Sequence, residues 1–133
     1  MTYTEFVKAL KSYGWEVSNY KNYPDERYTV LQPSNPREIA CAVYSMGIVR
    51  IHRIDCGIND CHEFFCGFDD YILSDEQRAA VDIQAEENIT YRCSAGELLD
   101  ILSGYRNGEQ LVARLEVLKV AHMIDALDNG AHS

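Results

Sequence analysis

The chain has 133 residues, 47% of them apolar, with nine Tyr and one Trp, which is enough for one hydrophobic core and short for two domains of typical size. No run of about 18 apolar residues occurs to span a membrane, and a formal charge of −9 argues against direct binding to duplex DNA or an anionic membrane, since neutralising phosphates takes a basic face. The cysteines are odd in number, five, and the opening MTYTEFVKALKSYG interleaves acid and base without an apolar signal core, so a cytoplasmic chain with free thiols or thiolate metal ligands is expected rather than a disulfide framework.

Taken in order, Thr2-x-x-Glu5 has the spacing of a capping box, in which a hydroxyl and a carboxylate satisfy each other's orphan backbone donors. Phe6, Leu10 and Tyr13 then recur at helical spacing before Gly14, which predicts a first helix over about Tyr3–Tyr13. Trp15–Tyr20 and Tyr28–Leu31 read as strands separated by a turn at Asn22 and Pro24-Asp25, and Pro33 and Pro36 close the second. Glu38–Tyr44 and Ile48–Ile54 flank Ser45-Met46-Gly47, a hairpin in which Gly supplies the positive φ. In the second arm Ile48, Arg50, His52 and Ile54 share one face, and Val49, Ile51 and Arg53 the other.

Asp55–Gly67 reads as a loop, with Asp60–Cys66 able to make a turn or two of helix. Ser74-x-x-Gln77 is a second capping box, opening a helix to about Glu87 whose apolar residues, Ala79, Ala80, Val81, Ile83 and Ala85, are mostly small. A strand is expected at Ile89–Cys93. Ser94-x-x-Glu97 is a third capping box, followed by the stripe Leu98, Ile101, Leu102, Tyr105. Asn107 caps a last helix with Leu111, Leu115, Leu118 and His122 on one face, supported by Val112 and Ile124 and closed by Asp128-Asn129-Gly130. This order predicts a single α+β domain spanning 1–133, with a mainly antiparallel sheet of four to five strands and helices packed on one face.

The segment FVKALKSYGWEV, followed by two or three strands, resembles the helix–strand–strand–strand start of the double-stranded-RNA-binding-like toxins of the HicA type over the first third of the chain. The resemblance implies a glycine-serine-histidine catalytic segment in or just before the second strand. Asn22–Tyr28 has no histidine, so no activity is carried over.

Charge is unevenly placed. Through Cys66 the chain has 8 acids and 7 bases, net −1, in a strand-rich half; from Gly67 onward it has 13 acids and 5 bases, net −8, in a helix-rich half. Within Asp69–Glu87 alone, Asp69, Asp70, Asp75, Glu76, Asp82, Glu86 and Glu87 face only Arg78. Carboxylates spaced along a helix and its preceding loop can imitate a row of phosphates and occupy a basic channel on a nucleic-acid-handling protein. The plainer reading is that they keep the protein soluble. Small acidic α+β proteins of this kind resemble phage anti-defence proteins such as anti-CRISPR inhibitors and other DNA mimics. The expectation is a non-enzymatic inhibitor or mimic that needs no cofactor and contacts a basic protein through those acids, with Phe68 and Tyr71 as aromatic anchors at the centre of the contact.

Two other chemistries attach to Ile48–Asp70. Cys56, Cys61, His62 and Cys66 form a three-thiolate, one-imidazole set that would suit one structural zinc, with His62 and Cys66 at i, i+4 if that segment is helical. The plainer reading is that Cys61 and Cys66, beside Phe64, Phe65 and Phe68, are small buried hydrophobes. A cysteine nucleophile (Cys56, Cys61 or Cys66 with His52 or His62) would need a thiolate of lowered pKa held near an imidazole. The paired carboxylates lack a cleft that would raise one of them for glycosidase chemistry, and the Asp55–Asp60 stretch lacks the ligand order of a calcium loop.

Overall fold

The computed structural model describes residues 1–22, 27–54, 61–70, 74–86 and 91–131. Along them run α1 (Tyr3–Ser12), β1 (Trp15–Asn22), β2 (Arg27–Pro33), β3 (Ile39–Tyr44), β4 (Ile48–Arg53), β5 (Cys61–Phe65), α2 (Asp75–Glu86), β6 (Tyr91–Arg92), α3 (Ala95–Ser103) and α4 (Gly108–Ala131). This is an α+β fold. Its sheet has six strands, in spatial order β1-β2-β3-β4-β5-β6, where the sequence had predicted four or five. The first five pair antiparallel in a meander. The last pairs parallel to β5; a parallel partner requires a crossover, and α2 falls within it.

The additional strand is β5. A loop or short helix was expected over Asp60–Cys66, and the structure overturns that reading: Cys61–Phe65 is a strand laid antiparallel along β4, with Arg50 opposite Glu63 and Ile51 opposite His62. His62 and Phe64 are buried while Glu63 and Phe65 are half-buried, which is the period-two pattern of a strand with one covered face. The short β6 stands within the strand expected at Ile89–Cys93; residues 89 and 90 lie outside the described part.

Alternation divides the sheet into two faces, with β3 covered on both, since Ala40 and Ala42 are buried as well. Leu31, Ile39, Cys41, Val43, Val49, Ile51 and Phe64 enter one core cluster with Phe6 and Leu10 of α1, Leu98 and Leu102 of α3, and Leu111 and Leu115 of α4. Most of these side chains are almost wholly removed from water, and each large one contributes about 1.5–3 kcal/mol by that removal. The opposite face bears Tyr28, Tyr44, Arg50 and Glu63. The tyrosine rings lie 4.9 Å apart, the Arg50 guanidinium sits 5.7 Å from the Tyr44 ring centre, and Arg50 Nη2 pairs with Glu63 Oε2 at 2.9 Å.

The helix starts form as their sequences predict. The Thr2 and Ser94 hydroxyls accept from the third-position amides of α1 and α3, and their own backbone amides donate to the Glu5 and Glu97 carboxylates; at the start of α2 the Ser74 hydroxyl accepts from the Gln77 amide and the Ser74 amide donates to Gln77 Oε1. The bonds with Thr2 hold the Glu5 carboxyl below the usual carboxylate range. At α4, Asn107 Oδ1 accepts from the Gln110 amide at 2.9 Å. Glu38 reaches across from the edge of β3 to accept from the Gly108 amide at 2.6 Å and the Tyr105 hydroxyl at 2.7 Å, so one carboxylate from the sheet fixes where α4 begins. Burial and the Glu38 hydrogen bond push the Tyr105 hydroxyl up, keeping it a donor.

Gly47 has φ +99°, and a Cβ there would stand 2.8 Å from the backbone N and Cα of Gly67. Its carbonyl accepts from the Cys66 amide at 2.8 Å, so the β3–β4 turn is pressed directly on the chain leaving β5. Gly47→Ala is expected to destabilise the fold by about 2 kcal/mol or more through both strain and contact. Urea unfolding checks this, read as a fall in midpoint at unchanged slope.

Candidate binding surface

The acidic residues divide by what they already do. Asp70 Oδ1 accepts from the Tyr3 amide at 3.0 Å, and Asp69 donates its amide to the Met1 carbonyl at 3.0 Å while its carboxylate meets the Met1 ammonium at 2.5 Å. Both therefore bind the start of α1, where exposed amides and the positive end of the helix dipole favour carboxylates. Asp69 remains open to water on its other side, 72% exposed.

Asp75 and Glu76 differ. They occupy the first turn of α2 and are fully outward. Every described side chain of that helix except Gln77 is exposed, including Arg78, Ala79, Ala80 and Ile83, and Ile83 is 55% exposed. Glu76, Ala79, Ala80 and Ile83 recur at i, i+3, i+4, i+7, one stripe of the helix. Asp82 and Glu86 belong to the same helix by position, and their side chains lie outside the described residues, as do Tyr71 and Glu87 altogether.

Phe68 is not an exposed anchor. It is 3% exposed and packs edge-on against Tyr3, ring centres 6.0 Å apart, and at a tilt on Phe6, 5.4 Å apart. The sequence placed it beside the acids correctly and misjudged its direction, because the Asp70–Tyr3 bond turns this segment inward under α1.

The histidine and cysteines sit on the core side. His62 is buried with Nδ1 3.4 Å from Glu116 Oε1 of α4. Cys66 Sγ lies 3.8 Å from Cys93 Sγ, a contact between the ends of β5 and β6 that the sequence reading missed; the residues are 27 apart and neither spacing nor residue type announced it. With β5 a strand, the helical i, i+4 relation of His62 and Cys66 does not exist. Among the described residues no group of three or more His, Cys, Asp or Glu side chains is disposed to hold a metal ion; Cys56 and the Cys61 side chain lie outside them. The hydrogen bond with Cys93, followed by burial, pushes the Cys66 thiol up, and burial alone does so for Cys41. Both are held as thiols, the opposite of what a nucleophile needs. No helix among the described residues is long and apolar enough to cross a membrane.

Comparisons with protein-family models, with curated proteins and with solved structures find no match to this chain.

Because Asp70 is tied to backbone and Glu76 is not, the two acids should respond differently to truncation. Asp70→Ala is expected to cost about 1 kcal/mol of stability and Glu76→Ala less than about 0.5 kcal/mol, both read from denaturant midpoints. The native protein should also alkylate at Cys41 and Cys66 on the order of a hundredfold more slowly than the unfolded chain, as followed by peptide-resolved mass spectrometry.

Proposed function

We propose that this protein is a non-catalytic, cytoplasmic inhibitor or nucleic-acid mimic that needs no cofactor and presents α2 to a basic site on a nucleic-acid-handling protein, in the manner of anti-CRISPR and other phage anti-defence inhibitors. The observation that carries the reading is the state of α2: an amphipathic helix ordinarily buries its apolar stripe, yet Ala79, Ala80 and Ile83 are exposed beside Asp75 and Glu76. An apolar centre ringed by charge is the anatomy of a recognition patch.

Spacing refines the mimicry. From Asp75 to Glu86 the helix advances about 16 Å, so its four acids, Asp75, Glu76, Asp82 and Glu86, average one carboxylate per about 4 Å, and one net charge per about 5–6 Å with Arg78 counted. Duplex DNA carries one per about 1.7 Å and a single strand one per about 3.4 Å. The acid row is thus nearer the linear density of one strand than of a duplex, and a groove that tracks a single backbone is the better fit. Asp69, open on one side, extends the acidic surface toward α1, while Asp70 is committed to the fold.

Association steered by these charges should be fast at low salt and weaken as salt screens them. Tagged protein incubated with bacterial lysate is expected to retain a basic nucleic-acid-binding protein at low salt and to release it at high salt or on adding single-stranded nucleic acid. Reversing Asp75, Glu76, Asp82 and Glu86 to Lys should weaken retention by on the order of a hundredfold or more without unfolding the chain. Retention of the same partner by the reversed variant would sink the proposal.

A further inference from the structure

Cys66 and Cys93 stand at the two ends of the connection that carries α2. Cys66 follows the last residue of β5, and Cys93 follows the last residue of β6. The parallel register sets Phe64 beside Tyr91 and Phe65 beside Arg92, so the two cysteines are the next pair along the same ladder. The Cys93 amide extends that ladder, donating to the Phe65 carbonyl at 3.2 Å. Both residues are free thiols, and their sulfurs lie 3.8 Å apart, a contact that the α2 surface does not use.

The backbone on either side is already fixed. The Cys66 amide donates to the Gly47 carbonyl at 2.8 Å, and Cys93 directly precedes Ser94, whose side chain caps α3. Neighbouring strands run about 4.8 Å apart, inside the roughly 4.4–6.8 Å that separates the Cα atoms of a disulfide. Joining the sulfurs therefore takes side-chain rotation through less than about 2 Å and no rearrangement of the sheet. Cys41 is wholly buried, whereas Cys66 is half-buried and open to a small reagent.

We propose that Cys66 and Cys93 form a thiol–disulfide exchange site, oxidised by a low-molecular-weight disulfide such as oxidised glutathione to a bond that staples β6 to β5. Cys66, the more open sulfur, gives up its proton and attacks one sulfur of the oxidant. The oxidant's S–S bond breaks, one glutathione thiolate leaves and takes up a proton, and Cys66 carries a mixed disulfide. Cys93 then loses its proton and attacks Cys66 Sγ, and the second glutathione leaves as a thiol. Two protein thiols are oxidised to one disulfide, and one oxidant molecule is reduced to two thiols. The hydrogen bond and burial that keep Cys66 protonated slow the first step without removing it, so the site answers sustained oxidising conditions rather than a brief pulse.

The bond would act on the crossover. Its ends are 27 residues apart in sequence, with all of α2 between them, and closing a loop of that length disfavours the unfolded chain on the order of a hundredfold. It also secures the shortest pairing in the sheet, since β6 has two residues and only the bonds along β5 hold it there.

Reduced native protein incubated with excess oxidised glutathione, then alkylated and digested for mass spectrometry, tests this. The linked Cys66–Cys93 peptide is expected as the main cysteine product, accumulating over hours, and Cys93→Ser should instead retain one glutathione on Cys66. In the oxidised wild type the amides of residues 91–93 should exchange at least about tenfold more slowly than in the reduced protein, with those of α1 unchanged. Cys66 left reduced in either protein, a link from Cys66 to any other cysteine, a link that forms only where urea unfolds the chain, or unaltered exchange at 91–93 would each overturn the proposal.

Discussion

Burial of one face of the sheet under α1, α3 and α4 is the constraint on which every other feature rests. Leu31, Ile39, Val43, Val49, Ile51 and Phe64 meet Phe6, Leu10, Leu98, Leu102, Leu111 and Leu115 with essentially no water between them. Strand alternation then decides the orientation of everything else. It puts His62 inward against α4 and Arg50 and Glu63 outward, and a shift of one residue would exchange them. Two long-range carboxylates complete the arrangement by satisfying helix starts. Asp70 serves α1 and Glu38 serves α4, across 67 and 70 residues of sequence respectively.

These assignments separate acids that build the fold from acids that remain available to a partner. A carboxylate bonded to backbone amides contributes to stability and is a poor contact residue, since a partner would have to compete with the helix it holds. An exposed acid beside apolar residues that are themselves exposed, as Ala79, Ala80 and Ile83 are among the described residues of α2, costs little to present. Asp75 and Glu76 of α2 are of the second kind, charged, exposed and suited to steering.

Local signals made most of the fold legible. All three capping boxes close as their spacing requires, Gly47 turns the hairpin with positive φ, and the Leu98–Tyr105 stripe lies on the core. The faces of β4 follow the alternation read from Ile48 to Arg53. β5 was hidden because cysteines and histidine invite a metal reading and because its buried positions, His62 and Phe64, are not both apolar. The roles of Asp69 and Asp70 were equally hidden, for charge patterning cannot reveal that a carboxylate will meet an amide 67 residues away. Phe68 follows from the same contact.

The central claim is that α2 is the surface a partner covers. Hydrogen exchange on the protein alone and bound to its captured partner, resolved by peptide, addresses that most directly. Slowed exchange concentrated in residues 75–86 is the predicted result, since amides of a helix seated in a groove open less often. Unchanged exchange there, with protection on the sheet face bearing Tyr44 and Arg50 instead, would contradict it.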